Sequence, residues 1–395
     1  MKKYMILVAV ATLTLASCAK IDTFDPKPAM DDERPMIGFT SYTPRSLTKA
    51  NDTYVSGTTL VENKQFAVYG WQTTGSFLTA TPGTPAFMNP AVVTWTCDNT
   101  DGDANTYSPT RYWPSGDSPS RLSFTAYYPY GGAGITAPTF SNSVGTYAFT
   151  AQSTPATMVD FCVADVVNDQ VYGSTNVNNA SYPGTVNMPF KHMLTKVQFK
   201  FKKATGLANT TVIELVDAEL SGIKNSGTLT ATYAQAGTPA VNVMGTTTTT
   251  WSSVSGAASY EVTVNQADPE SGSEIVLSES ASTVHNDDIF LMVPQNMAAS
   301  TQTLTVTWKV KVYDTPAHAT TNDGTGLLSE TTNTKALSFY SDLKTSDTVD
   351  TAASAIDWAK NNFITYTVTI GPKPIYFTAT VTAWDAEQNG YFNVQ

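Results

Sequence analysis

Side chains that commonly carry catalysis or hold metals are few in this chain. The three histidines, His192, His285 and His318, lie in no His-x-x-x-His pattern, and the chain has no Cys-x-x-Cys pair. The spacing therefore predicts no zinc site. A Gly-x-Ser-x-Gly nucleophile elbow and a glycine-rich phosphate loop are also missing, so we expect no catalytic residue, no metal and no cofactor.

Two acidic clusters deserve a chemical interpretation. Asp101 and Asp103 flank Gly102 as in a calcium loop, but the acidic residue that closes an EF-hand is absent, which favours a turn. Asp287 and Asp288 follow His285 just before a predicted strand. A hydrolase would need a second carboxylate at a fixed separation. The sequence identifies none, so a solvated strand entry is the favoured interpretation.

Aromatic side chains are concentrated in the N-terminal half and could stack on sugars. Aromatic residues in alternating strands more often pack in a core. They nevertheless leave open an alternative function, a surface glycan-binding lipoprotein that does not polymerise. The aromatics concerned are Trp71, Trp95, Tyr112, Trp113, Tyr127, Tyr128 and Tyr130.

The cysteine with the clearest chemical signal is Cys18. Lys2 and Lys3 precede a short apolar stretch that ends in Leu-Ala-Ser-Cys, which resembles the lipobox of bacterial lipoproteins. We therefore expect a signal peptide over residues 1–17 and an acylated, palmitate-bearing Cys18. Several acyl chains anchor a protein stably in a membrane, and the polar, proline-containing residues 18–35 predict a tether.

Two cysteines would remain after signal cleavage, Cys97 and Cys162. Export makes a disulfide between them chemically feasible. Cys162 also lies in the apolar run Phe161–Ala164, which suits a buried thiol. The sequence leaves both interpretations open.

Composition points to an all-β fold and excludes some partners. Only 14% of the residues are charged, the net charge is -11, and about one residue in six is threonine. Threonine favours extended backbone, and scarce Lys and Glu disfavour long exposed helices. The acidic balance argues against a nucleic-acid partner, because binding phosphates needs clustered Lys and Arg.

Alternation of apolar and polar residues recurs along the chain and predicts antiparallel sheets with one solvated face, packed as sandwiches. The composition changes near residue 184. We predict an N-terminal sandwich over 36–183 and a C-terminal sandwich over 184–395, with an elaborated region at 234–285. One short helix is predicted at Thr351–Asn361. The alternating segments begin at Phe66, Leu122, Val197, Leu304, Ile364 and Ile375.

Several segments in a fixed order give the chain a resemblance to the fimbrillin family, the type V pilus subunits of Gram-negative anaerobes. They follow Cys18 and cover nearly all of the remaining chain. The segments are Ile37–Tyr42 before Arg45–Ala50, Arg111–Pro114 before Leu122–Pro129, Asp160-Phe161, Phe190–Val197, Leu291–Gln295, Trp358 before Tyr366, and Phe377–Val381 before Trp384.

This resemblance implies two tandem transthyretin-like, Greek-key β-sandwich domains and a non-enzymatic structural role. It implies an outer-membrane lipoprotein that reaches the cell surface and functions as a pilus subunit or adhesin. Its partners would be other pilus subunits, the membrane that holds the lipid, and host or bacterial surface ligands.

The resemblance also implies how subunits assemble. An arginine-specific protease removes the lipid, the tether and the first strand, and a strand from a neighbouring subunit fills the groove. Arg45 follows the candidate first strand, so Arg45-Ser46 is the expected processing bond. The C-terminal strand with Ile375, Phe377 and Val381 is the candidate donor, and ordinary closing strands are the alternative interpretation.

Overall fold

The computed structural model describes eleven segments of the chain, and all of their strands lie within the unit Pro35–Gln395. The segments are residues 36–42, 65–80, 82–94, 106–114, 120–172, 184–234, 243–262, 274–283, 289–345, 353–371 and 376–384.

Extended backbone dominates the described residues, as the threonine content predicts. The strands of the first half are β1 (Gly38–Tyr42), β2 (Gln65–Thr74), β3 (Met88–Thr94), β4 (Thr106–Tyr107), β5 (Ser120–Tyr128), β6 (Thr139–Ser141), β7 (Val144–Thr150), β8 (Cys162–Ala164), β9 (Val167–Gln170) and β10 (Thr185–His192). Those of the second half are β11 (Thr195–Lys203), β12 (Thr211–Ile223), β13 (Ser226–Ala234), β14 (Val243–Met244), β15 (Thr246–Ser255), β16 (Ala258–Glu261), β17 (Ile275–Val276), β18 (Ser282–Thr283), β19 (Ile289–Met292), β20 (Thr303–Tyr313), β21 (Leu327–Ser338), β22 (Asn362–Ile370) and β23 (Tyr376–Ala383).

Helices are short: α1 (Phe77–Ala80), a 3-10 turn (Pro155–Thr157) and α2 (Pro316–Thr321). Within the segments that the structure describes, no helix is long and apolar enough to cross a membrane. The all-β class predicted from the sequence is confirmed.

The described strands form four sheets. A nine-stranded sheet has the order β1-β10-β8-β5-β2-β3-β4, with β9 on β5 and β14 on β9. Two five-stranded sheets have the orders β18-β11-β22-β23, with β19 on β11, and β16-β12-β20-β21, with β17 on β12. The fourth sheet has the order β15-β13-β7-β6, so it joins strands from both sides of residue 184. The predicted division into domains at 183 and 184, and their transthyretin-like topology, stay predictions.

The central strands β2 and β5 of the nine-stranded sheet are buried on both faces, unlike the half-solvated sheet that we expected. On β2, Phe66 and Val68 belong to one hydrophobic cluster, whereas Ala67 and Tyr69 belong to another. The second face is covered because Tyr147, from the four-stranded sheet, packs on Tyr127 of β5 at 5.7 Å between ring centroids. Strand β20 keeps the predicted pattern, with alternate side chains buried along its first half.

The helix predicted at Thr351–Asn361 is wrong for its described part, residues 353–361. Trp358 instead exchanges two backbone hydrogen bonds with Gln295, at 2.8 and 2.9 Å. Its indole is buried and donates to the hydroxyl of Tyr366 at 3.0 Å. Long-range packing of this side chain outweighs the weak local preference for a helix.

Buried tyrosines predict a loss of stability at high pH. The hydroxyls of Tyr147 and Tyr233 lie 2.8 Å apart in the core. Burial raises the pKa of Tyr147 well above its usual value and that of Tyr233 to about 12. Because the folded state holds both phenols neutral, their contribution to stability is complete below about pH 10 and is lost as the pH rises towards 12.

We expect Tyr147→Phe to flatten that pH dependence by about 1.4 kcal/mol per pH unit above pH 10, because one ionising group is removed. Denaturant unfolding followed by circular dichroism at several pH values measures the slope. Tyr340→Phe is the control, since Tyr340 is 56% exposed. An unchanged slope in Tyr147→Phe would contradict the assignment.

Candidate functional site

The first strand occupies an edge of the nine-stranded sheet. Among the described strands, β1 pairs with β10 alone, in parallel, from Gly38 opposite Thr185 to Tyr42 opposite Pro189. Just before β1, Met36 forms an isolated antiparallel β-bridge with Tyr112. The backbone N–H of Ile37 donates a hydrogen bond to the carbonyl of Arg111 at 2.9 Å. This strand can therefore leave without breaking a ladder between two other strands.

Although β1 lies at an edge, Ile37 just before it and Phe39 within it have fully buried side chains. Ile37 and Phe39 are both 0% exposed. The ring of Phe39 meets those of Phe124 and Tyr107 edge-on, with centroids 5.4 and 5.6 Å apart. Burying two such side chains stabilises the fold by about 3–6 kcal/mol.

We call the surface that contacts β1 the first-strand groove. It is formed by Tyr107, Phe124, Gly184 and Val186. Tyr107 donates its hydroxyl to the carbonyl of Ile37 at 2.8 Å. The Gly184 carbonyl accepts from the Gly38 backbone at 3.1 Å and from the Trp113 indole at 3.0 Å. Gly184 has a φ of 97°, which favours glycine there. Without β1 the groove would expose apolar rings and unpaired backbone groups.

The predicted modification and processing residues lie outside the described residues. They are Cys18, Arg45, Ser46 and Cys97. Arg45 comes three positions after Tyr42, the last residue of β1. Lipidation, cleavage and a disulfide between Cys97 and Cys162 stay predictions.

The candidate donor strand, β23, is also at the edge of its sheet. It pairs antiparallel with β22, from Asn362 opposite Ala383 to Thr369 opposite Tyr376. Ile375 lies outside the described residues, and the backbone of Phe377 pairs with Val368. Val381 is directly opposite Ile364 and is 40% exposed, so part of its side chain is accessible to another subunit.

Trp384, the residue after β23, closes over a small polar cluster. Its indole stacks on the His192 ring at 4.0 Å and 4°. His192 Nδ1 lies 2.8 Å from Asp160 Oδ2 and 3.5 Å from Cys162 Sγ, and all three side chains are buried. The Lys196 ammonium lies 5.8 Å from the Trp384 ring, and burial lowers its pKa to about 8. The sequence alone did not predict that Cys162 and His192 lie next to each other.

One further histidine, His318, lies in the described part of the chain, and its ion-pair partner is not one of these groups. His318 lies on α2 and pairs with Asp314 at 2.6 Å on the surface. His285, Asp287 and Asp288, like Asp101 and Asp103, lie outside the described residues.

Most aromatics considered for a sugar platform are in the core. Tyr112 and Tyr130 are 45% and 41% exposed, and Trp95 lies outside the described residues. The buried ones are Trp71, Trp113, Tyr127 and Tyr128. Buried rings cannot stack on a glycan, so these four do not support the glycan-binding alternative.

The geometry defines an all-β chain whose first described strand lies at the edge of its sheet. The chain belongs to the fimbrillin-like family, whose model matches residues 48–384.

Two relatives illustrate the likeness. The fimbrium subunit Fim1C of Phocaeicola vulgatus is 29% identical over 265 residues, and the aligned part spans 65% of this chain and 63% of the relative. A crystal structure of a fimbrial protein from Bacteroides vulgatus has a TM-score of 0.56 at 19% identity, covering 88% of this chain and 99% of that chain. The second likeness shows a shared fold.

Proposed function

We propose that this protein is a structural subunit or adhesin of a cell-surface pilus, assembled by proteolysis-triggered strand exchange. It would be exported as a lipoprotein anchored through Cys18 in the outer membrane. Cleavage after Arg45 would release the lipid, the tether and β1. A strand from a neighbouring subunit would then occupy the first-strand groove, so the partners are other pilus subunits.

One observation carries this proposal: β1 is an edge strand, yet its Phe39 and the preceding Ile37 are fully buried. An edge strand can be replaced by another chain that offers backbone hydrogen bonds and apolar side chains. The energy of burying these two residues, about 3–6 kcal/mol, gives the emptied groove a strong preference for a replacement.

The position of Arg45 supports the proteolytic step. A cut three residues beyond Tyr42 separates all of β1 from the rest of the chain. Arg34 precedes β1, and Pro35 after it hinders cleavage there. Family membership and the resemblance to fimbrial proteins support the pilus and surface location.

Treatment of the full-length chain with an arginine-specific protease tests the proposal. We expect a new N-terminus at Ser46 by mass spectrometry, followed by polymers visible by electron microscopy. Arg45→Ala and Arg45→Lys should both remain uncut and reduce polymer to background.

Arg34→Ala is the matched control, and it should polymerise like the unaltered chain. Wild-type fibres whose subunits still begin at Cys18 would overturn the strand-exchange mechanism. If only a small, membrane-bound fraction of the subunits begins at Cys18, those subunits would be the ones that anchor the pilus.

A further inference from the structure

The buried cluster beneath Trp384 brings together three side chains of different chemistry. Asp160 and Cys162 are two positions apart, so in extended backbone they project to the same face. His192 is the direct antiparallel partner of Cys162, because β10 pairs with β8 in that register. Cβ atoms of such partners lie about 4.5–5.5 Å apart. The sheet therefore aims a carboxylate, a thiol and an imidazole at one point.

The donor atoms are close enough to share one ion. One ligand atom from each of Asp160, Cys162 and His192 lies within 4.8 Å of the others. Tetrahedral zinc, with bonds of 2.3 Å to sulfur and 2.0 Å to nitrogen, holds these two atoms about 3.5 Å apart. Cys162 Sγ and His192 Nδ1 are separated by 3.5 Å. Asp160 Oδ2 lies 2.8 Å from Nδ1 and would move by about 0.5 Å for both atoms to bind one zinc ion.

We propose that Asp160, Cys162 and His192 form a binding site for a zinc-like divalent transition metal. One thiolate, one carboxylate and one neutral imidazole suit zinc in ligand type and neutralise its charge. Water or another exchangeable ligand completes the tetrahedron. The sequence alone does not reveal this site, because His192 is 30 residues from Cys162. The pairing of β10 with β8 brings the two residues together.

The burial of the donors predicts when the metal enters. Asp160 and Cys162 are 0% exposed, and the Trp384 ring covers His192. The metal should therefore bind as the chain folds and couple to folding. The competing explanation is a metal-free network in which Asp160 contacts His192 and offsets the charge of Lys196.

Metal content after refolding separates these explanations. The full-length chain is refolded with zinc, dialysed and assayed by plasma mass spectrometry. We expect about one zinc per chain, less than a tenth of that in Cys162→Ser and His192→Gln, and a Tm several degrees higher than after refolding with a chelator. Cys97→Ser and His318→Gln are the matched controls and should keep their metal.

Cobalt provides a test that needs no altered ligand. The unaltered chain and Cys97→Ser, refolded with cobalt, should both show thiolate-to-cobalt absorption. That band should disappear in Cys162→Ser. Absence of the band from the unaltered chain, or equal zinc in Cys162→Ser and the unaltered chain, would overturn the metal site and leave the metal-free network as the explanation. Neither outcome bears on Arg45 cleavage or polymerisation.

Discussion

Replacing Phe39 by alanine is expected to lower the free energy of unfolding of the unprocessed chain by about 3–5 kcal/mol. The reason is that its ring is fully buried and packs against Phe124 and Tyr107. The vacated space cannot close easily, because backbone hydrogen bonds from Ile37 to Arg111 and from Gly38 to Gly184 hold β1 before Phe39. The ladder with β10 holds β1 after Phe39, as far as Tyr42. Equilibrium denaturation of the unprocessed form measures the loss.

The same substitution should leave assembled fibres unchanged, because cleavage after Arg45 removes Phe39 before assembly. Tyr340→Ala is the control for the unprocessed form, where we expect a change within about 0.5 kcal/mol at this exposed position. A loss under 1 kcal/mol in Phe39→Ala would contradict the packing of β1. Fibres weakened by Phe39→Ala would show that β1 stays in the polymer, against the exchange mechanism.

Replacing Val381 by aspartate is expected to block polymerisation while sparing the fold of the single subunit. Val381 is 40% exposed on the edge strand β23 and lies opposite Ile364, so the isolated subunit should lose about 1 kcal/mol and stay folded. In a neighbour's groove the valine would be buried. Losing about 1.5–3 kcal/mol of burial weakens the subunit contact about 10- to 150-fold, and burying a carboxylate adds to the loss.

Thr380→Asp is the matched control, since successive side chains on a strand point to opposite faces and Thr380 is also exposed. Protease-treated subunits would be compared by electron microscopy and by the concentration needed for fibre growth. A Val381→Asp subunit keeps its own groove, so adding it to wild-type subunits should shorten fibres by capping one end. Normal fibres from Val381→Asp alone would remove Val381 from the donor strand and favour ordinary closing strands.

Several elements were predictable because their signals are local. Alternation starting at Leu122, Val197, Leu304 and Ile364 predicted strands where β5, β11, β20 and β22 lie. The helix predicted near Trp358 was wrong, because the Trp358 indole is held in the core by its hydrogen bond to Tyr366. The sequence identified the aromatic side chains that could bind sugars. It did not predict their burial, because that depends on which sheet packs on the second face of β2 and β5.

The sequence by itself determined the all-β class, the positions of several long strands and the presence of an arginine just beyond the first described strand. Threonine content, alternation and residue order are local properties, and they survive without knowledge of the fold. Only the tertiary structure decided that β1 lies in parallel beside β10, with paired residues 147 positions apart in the chain. It also decided that Asp160, Cys162 and His192 meet on one face of a sheet. Register between distant strands is fixed by packing of whole faces, and no short stretch of residues carries that information.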